Sequence, residues 1–344
     1  MRPFSANEFY RGRRVMITGG LGFIGSNIAH RLAELGADVL LMDSLIPDSG
    51  GNFFNIDGVA DRVRVNIADV RQESTMNHLV RDREVIFNLA GQVSHIDSMR
   101  DPYTDLDINC RSQLSILEAC RKFNPGVKVV FAGTRQVYGK PDSLPVTEDH
   151  LVRPTDVNGI NKAAGENYHL LYNHVFRVRA CSLRLTNVYG PRQLIKHNRQ
   201  GFIGWFIRLA LEGREIQIFG DGSQVRDFIY VEDAVEAFLR AGASDAVNGQ
   251  VFNVGGNEPI SHSDLVKLLL DVAKGGSVRY VPWPPEKKVI DIGSFYADSS
   301  RFRAAVGWLP HVPLRTGLTR TIEFYRAHRE HYLDEPAPTP SNVA

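Results

Sequence analysis

Three glycines spaced G-x-x-G-x-x-G, Gly19, Gly22 and Gly25, lie between a short β-branched run, 15–18, and a segment where Ile28, Leu32 and Leu35 recur at helical spacing. Such a turn lets bare backbone approach a pyrophosphate, whose charge the helix N-terminus behind it favours. Asp43 closes the next apolar run, 38–42. A carboxylate there can accept from both ribose hydroxyls of NAD and would repel the 2′-phosphate of NADP. NAD is therefore the expected cofactor, although Arg62 or Arg64 could soften that preference. Further along stand groups that can hold or move a proton: His95, whose ordinary pKa lies near neutrality, then Thr134 and Lys162, with Asp97 and Asp156 as weaker candidates. Asn158, four residues before Lys162, can orient a hydroxyl or a water but cannot be a base, because an amide does not titrate in water.

The elements that must position these residues alternate. Strands are expected at 63–66, 85–89, 128–131 and 180–185, with helices between them, notably over 106–123 and 161–174. Alternating β and α with doubly apolar strands predicts an α/β fold, a Rossmann-type doubly wound parallel sheet with a smaller C-terminal substrate-binding lobe. We place the NAD-binding domain at 1–190, with part of the sheet returning after 215, and the substrate lobe mainly at 191–330. A proline-rich, disordered tail is expected at 331–344. Lys and Arg number 40 against 39 Asp and Glu, so no global field favours nucleic acid or an anionic membrane. Three cysteines lack the paired ligands of a zinc site and are too few for a disulfide framework, so no metal is expected. No apolar run approaches the roughly 20 residues that span a bilayer. A cytoplasmic address follows as the expectation.

The chain resembles the extended short-chain dehydrogenase/reductase family, the NAD-dependent sugar-nucleotide epimerases and dehydratases. The matching segments are 18–25, Asn88-Leu89-Ala90-Gly91, Gly133-Thr134 with Val137-Tyr138-Gly139, Lys162, 185–191 and 220–227, in the family's order. Short patches at 90–93 and 200–206 look like the CDP-paratose/tyvelose 2-epimerase branch, and the general plan is similar to UDP-glucose 4-epimerase. The resemblance implies that Gly19, Gly22, Phe23, Ile24 and Gly25 hold the pyrophosphate and Asp43 the adenosine ribose. Asp69 and Val70 would flank adenine, Leu89, Ala90 and Gly91 would line the nicotinamide side, and Lys162 would bond the nicotinamide ribose. It also implies a nucleotide-diphosphate sugar as partner, held by Asn187 and Arg226, with Gln92, Ser94, Thr134 and Gln200 contributing. Two helices per subunit would pair into a homodimer through Ser112, Leu114, Ile116, Leu117, Ala163, Tyr168 and Leu171.

Two departures matter. Family members pair the lysine with a tyrosine that takes the sugar hydroxyl proton, and Asn158 occupies that position. Dehydratases and decarboxylases keep acidic residues after the threonine, where this chain has Arg135 and Gln136, so 4,6-dehydration and uronate decarboxylation are disfavoured. Tyr138, in the Val-Tyr-Gly turn, is expected to pack. The catalytic set expected is therefore Thr134, Asn158, Lys162 and His95, with His95 or a water held by Asn158 and Lys162 replacing the phenol. The leading expectation is an epimerase that oxidises a ring carbon transiently, C4 favoured and C2 possible. One-way oxidation or atypical elimination is a second reading, and a silent NAD and sugar-nucleotide binding protein a third.

Overall fold

The computed structural model describes residues 5–333. Its central sheet has seven parallel strands: β1 (Arg14–Thr18), β2 (Asp38–Asp43), β3 (Val63–Ile67), β4 (Val85–Asn88), β5 (Lys128–Thr134), β6 (Arg179–Leu185) and β7 (Val251–Val254). The spatial order is β7-β6-β5-β4-β1-β2-β3. The winding reverses between β1 and β4, and ligands bind outside the carboxyl ends of strands at such a switch point. Val15, Met16 and Ile17 of β1 and Val85, Ile86 and Phe87 of β4 are buried on both faces, which is why these segments read as continuous apolar runs.

Three helices carry site residues, α1 (Phe23–Glu34), α2 (His95–Arg100) and α4 (Val157–Phe176), and α3 (Ser112–Phe123) packs against α4. The expected helix over 106–123 is composite, since a π-helical turn, Asp107–Arg111, joins α3 to the short helix Pro102–Leu106. Such turns re-aim side chains and recur at functional sites. Here the turn presents Asn109 towards the sheet's carboxyl end. Asp156 caps α4 by accepting from Gly159 N at 2.7 Å.

A second apolar cluster lies beyond the sheet, built from helices Phe202–Leu211, His262–Ala273 and Leu314–Ala327 around the parallel pair Glu215–Phe219 and Ser277–Val281. Helix Val231–Ala243, although it follows these residues' start in sequence, packs on α1 in the main core. Glu166 of α4 accepts from Arg184 Nε at 3.1 Å and from Ser182 Oγ at 2.7 Å, while Arg184 Nη1 donates to the Tyr138 hydroxyl at 2.7 Å. Burial pushes the Tyr138 phenol up to about 12, so it packs and braces rather than titrates.

Residues 334–344 of the expected proline-rich tail lie outside the described residues. The first three tail positions differ from that expectation. His331 stacks on Phe54 with ring centroids 3.6 Å apart, the Tyr332 hydroxyl donates to Asn55 Oδ1 at 2.6 Å, and Leu333 is buried. Their aromatic and apolar surface precedes the prolines and finds an apolar groove.

Candidate active site

A cleft of about 520 Å³ opens at the carboxyl ends of β1, β4 and β5. Of the residues expected at the site, all line it except Ser94, Asn187 and Arg226. The glycine turn is dictated by contact as well as conformation. Gly19 has φ +68°, and a Cβ on Gly25 would collide with the Gly19 carbonyl oxygen. The Asp43 carboxylate supports the same turn, accepting from Leu21 N at 3.0 Å and from Leu45 N at 2.9 Å. Asp69 and Val70 follow on the wall, where hydrogen bonds from the Arg71 side chain hold Asp69 below the usual carboxylate range.

The end of β4 is fixed against this turn by a polar ladder. Thr18 Oγ1 donates to Asn88 Oδ1 at 2.8 Å and accepts from Leu89 N and Ala90 N at 3.1 and 3.0 Å. Gly91 comes next, and a Cβ there would lie 2.7 Å from Lys162 Nζ and 2.9 Å from Asn109 Oδ1. The backbone must be bare at this point for the lysine to reach the cleft. Bare glycines at both ends, with a carboxylate at the second strand, fit a bound dinucleotide.

Lys162 projects from α4, donates to Ala132 O at 3.3 Å and sits over the Phe131 ring. Burial pushes its ammonium down to about 8, with Asp105 pulling the other way. Asp105 is fully buried and was not among the residues singled out in the sequence. Its carboxylate takes three amide donors: Asn109 Nδ2 at 3.0 Å, Asn158 Nδ2 at 3.0 Å and Asn161 Nδ2 at 2.8 Å. Asn158 Nδ2 also donates to Gln92 O at 2.7 Å, so both its hydrogens are engaged and only Oδ1 is left to accept a hydroxyl or water proton. A sequence signal existed: polar residues at 105 and 109, and at 158 and 161, recur at helical spacing on faces that should be apolar.

His95, at the start of α2, lies with Nδ1 3.0 Å from Asp156 Oδ2, and Gln136 Nε2 donates to its Nε2 at 2.8 Å. Burial would raise Asp156, but the His95 ring and the Gly159 N–H outweigh it and hold the carboxyl below its usual range. Thr134 ends β5 beside this pair, its Oγ1 accepting from Gln136 N at 3.2 Å.

The remaining expected contacts are distributed differently. Ser94 is buried as the cap of α2, accepting from Asp97 N at 3.1 Å. Asn187 Nδ2 donates to Asp227 O at 2.8 Å, and its Oδ1 accepts from Arg135 Nη2 at 3.3 Å. Arg226 is buried, Nη1 donating to Val225 O at 3.0 Å, with Nε left unpartnered. Gln200 reaches Asp48 O at 3.3 Å beside Arg199, whose guanidinium spans the cleft mouth between Asp48 and Asp97 at 3.4 and 3.6 Å. Among the described residues no group of three His, Cys, Asp or Glu could hold a metal ion, and no helix is long and apolar enough to cross a membrane.

Comparison with known proteins agrees with this geometry. The chain is 34% identical over 317 residues to UDP-glucose 4-epimerase of Mycolicibacterium smegmatis, covering 91% of this chain and 98% of that one. It is 28% identical over 347 residues to CDP-paratose 2-epimerase of Salmonella typhi, covering 90% and 98%. Among solved structures, UDP-glucose 4-epimerase of Thermotoga maritima with UDP-glucose superposes with a TM-score of 0.83 at 31% identity, over 92% of this chain and 99% of that one. The sequence profile of the NAD-dependent epimerase/dehydratase family matches residues 15–255, from the first strand through the last strand of the sheet. By that match and by the cradle it encloses, the chain belongs to the NAD-dependent epimerase/dehydratase family.

Proposed function

We propose that the protein epimerises a nucleotide-diphosphate sugar at one ring carbon, C4 in the first instance, by transient oxidation and return from the opposite face. NAD, when bound, supplies the acceptor and donor of the hydride. The observation that carries this reading is the convergence on one cleft wall of His95, Thr134, Asn158 Oδ1 and Lys162 beside the glycine cradle. His95, oriented by Asp156, takes the hydroxyl proton in the role the missing phenol would have filled. Thr134 and Asn158 orient that hydroxyl, and the Lys162 ammonium favours its deprotonated form. Gln92 and Gln200 line the sugar and mouth sides, and Asn187 and Arg226 are assigned to the diphosphate.

Retention of the 4-epimerase plan at 34% identity supports C4 over C2. The Arg135-Gln136 pair lacks the carboxyl group that elimination would need. Incubating the protein with UDP-, GDP-, CDP- and dTDP-sugars in deuterated water and following proton NMR is expected to give an inverted ring-proton coupling with no free NADH. A keto or alkene product would replace this reading with elimination, and an unchanged spectrum with every sugar would leave a binding protein.

We also propose a homodimer. Tyr103, Leu106, Ile160, Leu171 and Val175 are exposed on the adjoining helices Pro102–Leu106 and α4, and the last three recur on one helical face. This face differs in part from the expected one: Ser112, Ile116, Leu117 and Ala163 are buried within the subunit, and Leu114 and Tyr168 pack partly against the same core, because α3 turns its apolar stripe onto the sheet. Leu171→Glu is expected to convert the dimer to monomer in sedimentation equilibrium. A wild-type monomer at micromolar concentration would refute the assembly.

A further inference from the structure

The amino ends of the sheet strands, opposite the cleft, concentrate cations in a chain whose formal net charge is only +1. Arg14 begins β1, Lys128 begins β5 and Arg179 begins β6, while Arg83 stands two residues before β4. The backbone aligns them: Glu84 N donates to Arg14 O at 2.8 Å, Lys128 N donates to Glu84 O at 3.1 Å, and Lys128 lies opposite Arg179 in register. All four line one cavity of about 370 Å³, to which Arg13 adds a fifth cation and Asp82 and Glu84 add carboxylates.

Part of this charge is already answered. Glu84 takes Arg13 Nη1 at 2.5 Å, and Arg179 donates from Nε to Gly126 O at 3.1 Å and from Nη1 to Asp245 Oδ1 at 3.4 Å. Lys128 Nζ donates to Ser244 O at 2.8 Å and to Asn248 Oδ1, which leaves one of its three hydrogens. Arg14 and Arg83 differ from these. Among the described residues neither guanidinium has a hydrogen bond or an ion pair, and Nε and Nη1 of Arg83 are buried in that condition. Burial and the Arg64 charge pull the Arg83 guanidinium down, and Arg14 adds to the repulsion. Asp38 and Asp82 act the other way, but Asp38 is itself paired with Arg64 at 2.7 Å and Asp82 is exposed. Two neighbouring guanidinia that repel each other and lack partners are reconciled by an anion that accepts from both. The planar fork suits phosphoryl oxygens. Arg14, Arg83 and Lys128 together cover three adjacent strands, a span of about 10 Å at the usual strand spacing, which calls for more than one phosphoryl group.

We propose that this cavity is a second anion site, at the far ends of the strands from the cleft, which binds a condensed phosphate, free or borne by a nucleotide, between Arg14 and Arg83. The assignment does not depend on the epimerase reading. Inorganic pyrophosphate and ADP are the probes, titrated calorimetrically into NAD-loaded wild type, Arg14→Gln, Arg83→Gln, Arg83→Lys and Arg226→Gln. Wild type is expected to bind at least one probe with a dissociation constant below about 1 mM at low salt, the affinity falling as sodium chloride is raised. Arg83→Gln is expected to weaken that binding about 10- to 100-fold, with Arg83→Lys recovering part of it, and Arg14→Gln to weaken it about threefold, NAD affinity being unchanged throughout. The probe whose affinity Arg83→Gln lowers more identifies the free or the nucleotide-borne form. Absence of heat with both probes overturns the site, and so do affinities within twofold of wild type in both Arg14→Gln and Arg83→Gln. Loss confined to Arg226→Gln places the anion in the cleft and overturns it equally. Arg14 is exposed, so its variant decides alone if Arg83→Gln also loses NAD.

Discussion

Lys162→Met is expected to lower turnover about 10³-fold while making the folded protein more stable. The two effects have one cause. Burial pushes the ammonium of Lys162 down to about 8 from the ordinary 10.5, against the pull of Asp105, so the folded state holds this proton less firmly than the unfolded chain does. The gap corresponds to a penalty on the order of 3 kcal/mol that is fully present below pH 8, shrinks as the pH rises from 8 to 10.5, and is gone above that. Methionine fills the same volume without the charge, and Asp105 keeps its three amide donors. Urea unfolding of both proteins at pH 7 and pH 10 would show the variant ahead at pH 7 and the difference narrowing at pH 10. Activity follows the opposite sign, since the working form is the charged one. Wild-type turnover is expected to fall as the pH rises through about 8, and the residual activity of the variant should show no such decline. A variant within tenfold of wild type, or a wild-type rate that climbs above pH 8, would remove the ammonium from the chemistry.

Much of this arrangement was legible in the sequence because it is local. The glycine turn and Asp43 are set by residues within a few positions of one another, and the periodicity of β1, β4 and α1 follows from which faces the sheet buries. What escaped was long-range. The Asp105 network joins two helices some 50 residues apart, and the π-helical turn that aims Asn109 leaves no period in the sequence distinct from that of an ordinary helix. The apolar residues of α3 carry a signal for burial but not for which partner, so three of them, Leu114, Ile116 and Leu117, are expected at a subunit interface and lie instead within the subunit or against its core. Arg135 could be recognised from the sequence as a missing acid.

The position of Asn158 also has a physical reading beyond the loss of a base. A tyrosine phenol next to a buried carboxylate would have to keep its proton, because Asp105 would raise the phenol's pKa. Asparagine turns the same carboxylate into a structural acceptor and leaves a carbonyl oxygen towards the cleft. Proton transfer then has to come from the neighbouring pair, where a carboxylate and an imidazole already meet.

That pair supplies the second large effect. His95→Gln is expected to slow NADH formation in a single turnover about 10²- to 10³-fold, with NAD binding unchanged because the cradle residues are untouched. With Asp156 Oδ2 accepting from Nδ1–H, the ring presents Nε2 as the proton acceptor, at the site where Gln136 Nε2 now donates and a sugar hydroxyl would take its place. Asp156→Asn is expected to cost about tenfold, less than loss of the ring, since it removes the charge that stabilises the imidazolium but not the acceptor itself. Asparagine is the right substitution at 156 because it also caps helices well and so preserves the bond to Gly159 N, whereas alanine would confuse catalysis with a loss of about 1 kcal/mol in helix stability. Stopped-flow absorbance with a substrate found in the NMR panel reads both variants directly. If His95→Gln forms NADH within threefold of wild type, the imidazole is not the acceptor, and a water held by Asn158 Oδ1 and Lys162 becomes the group to remove next.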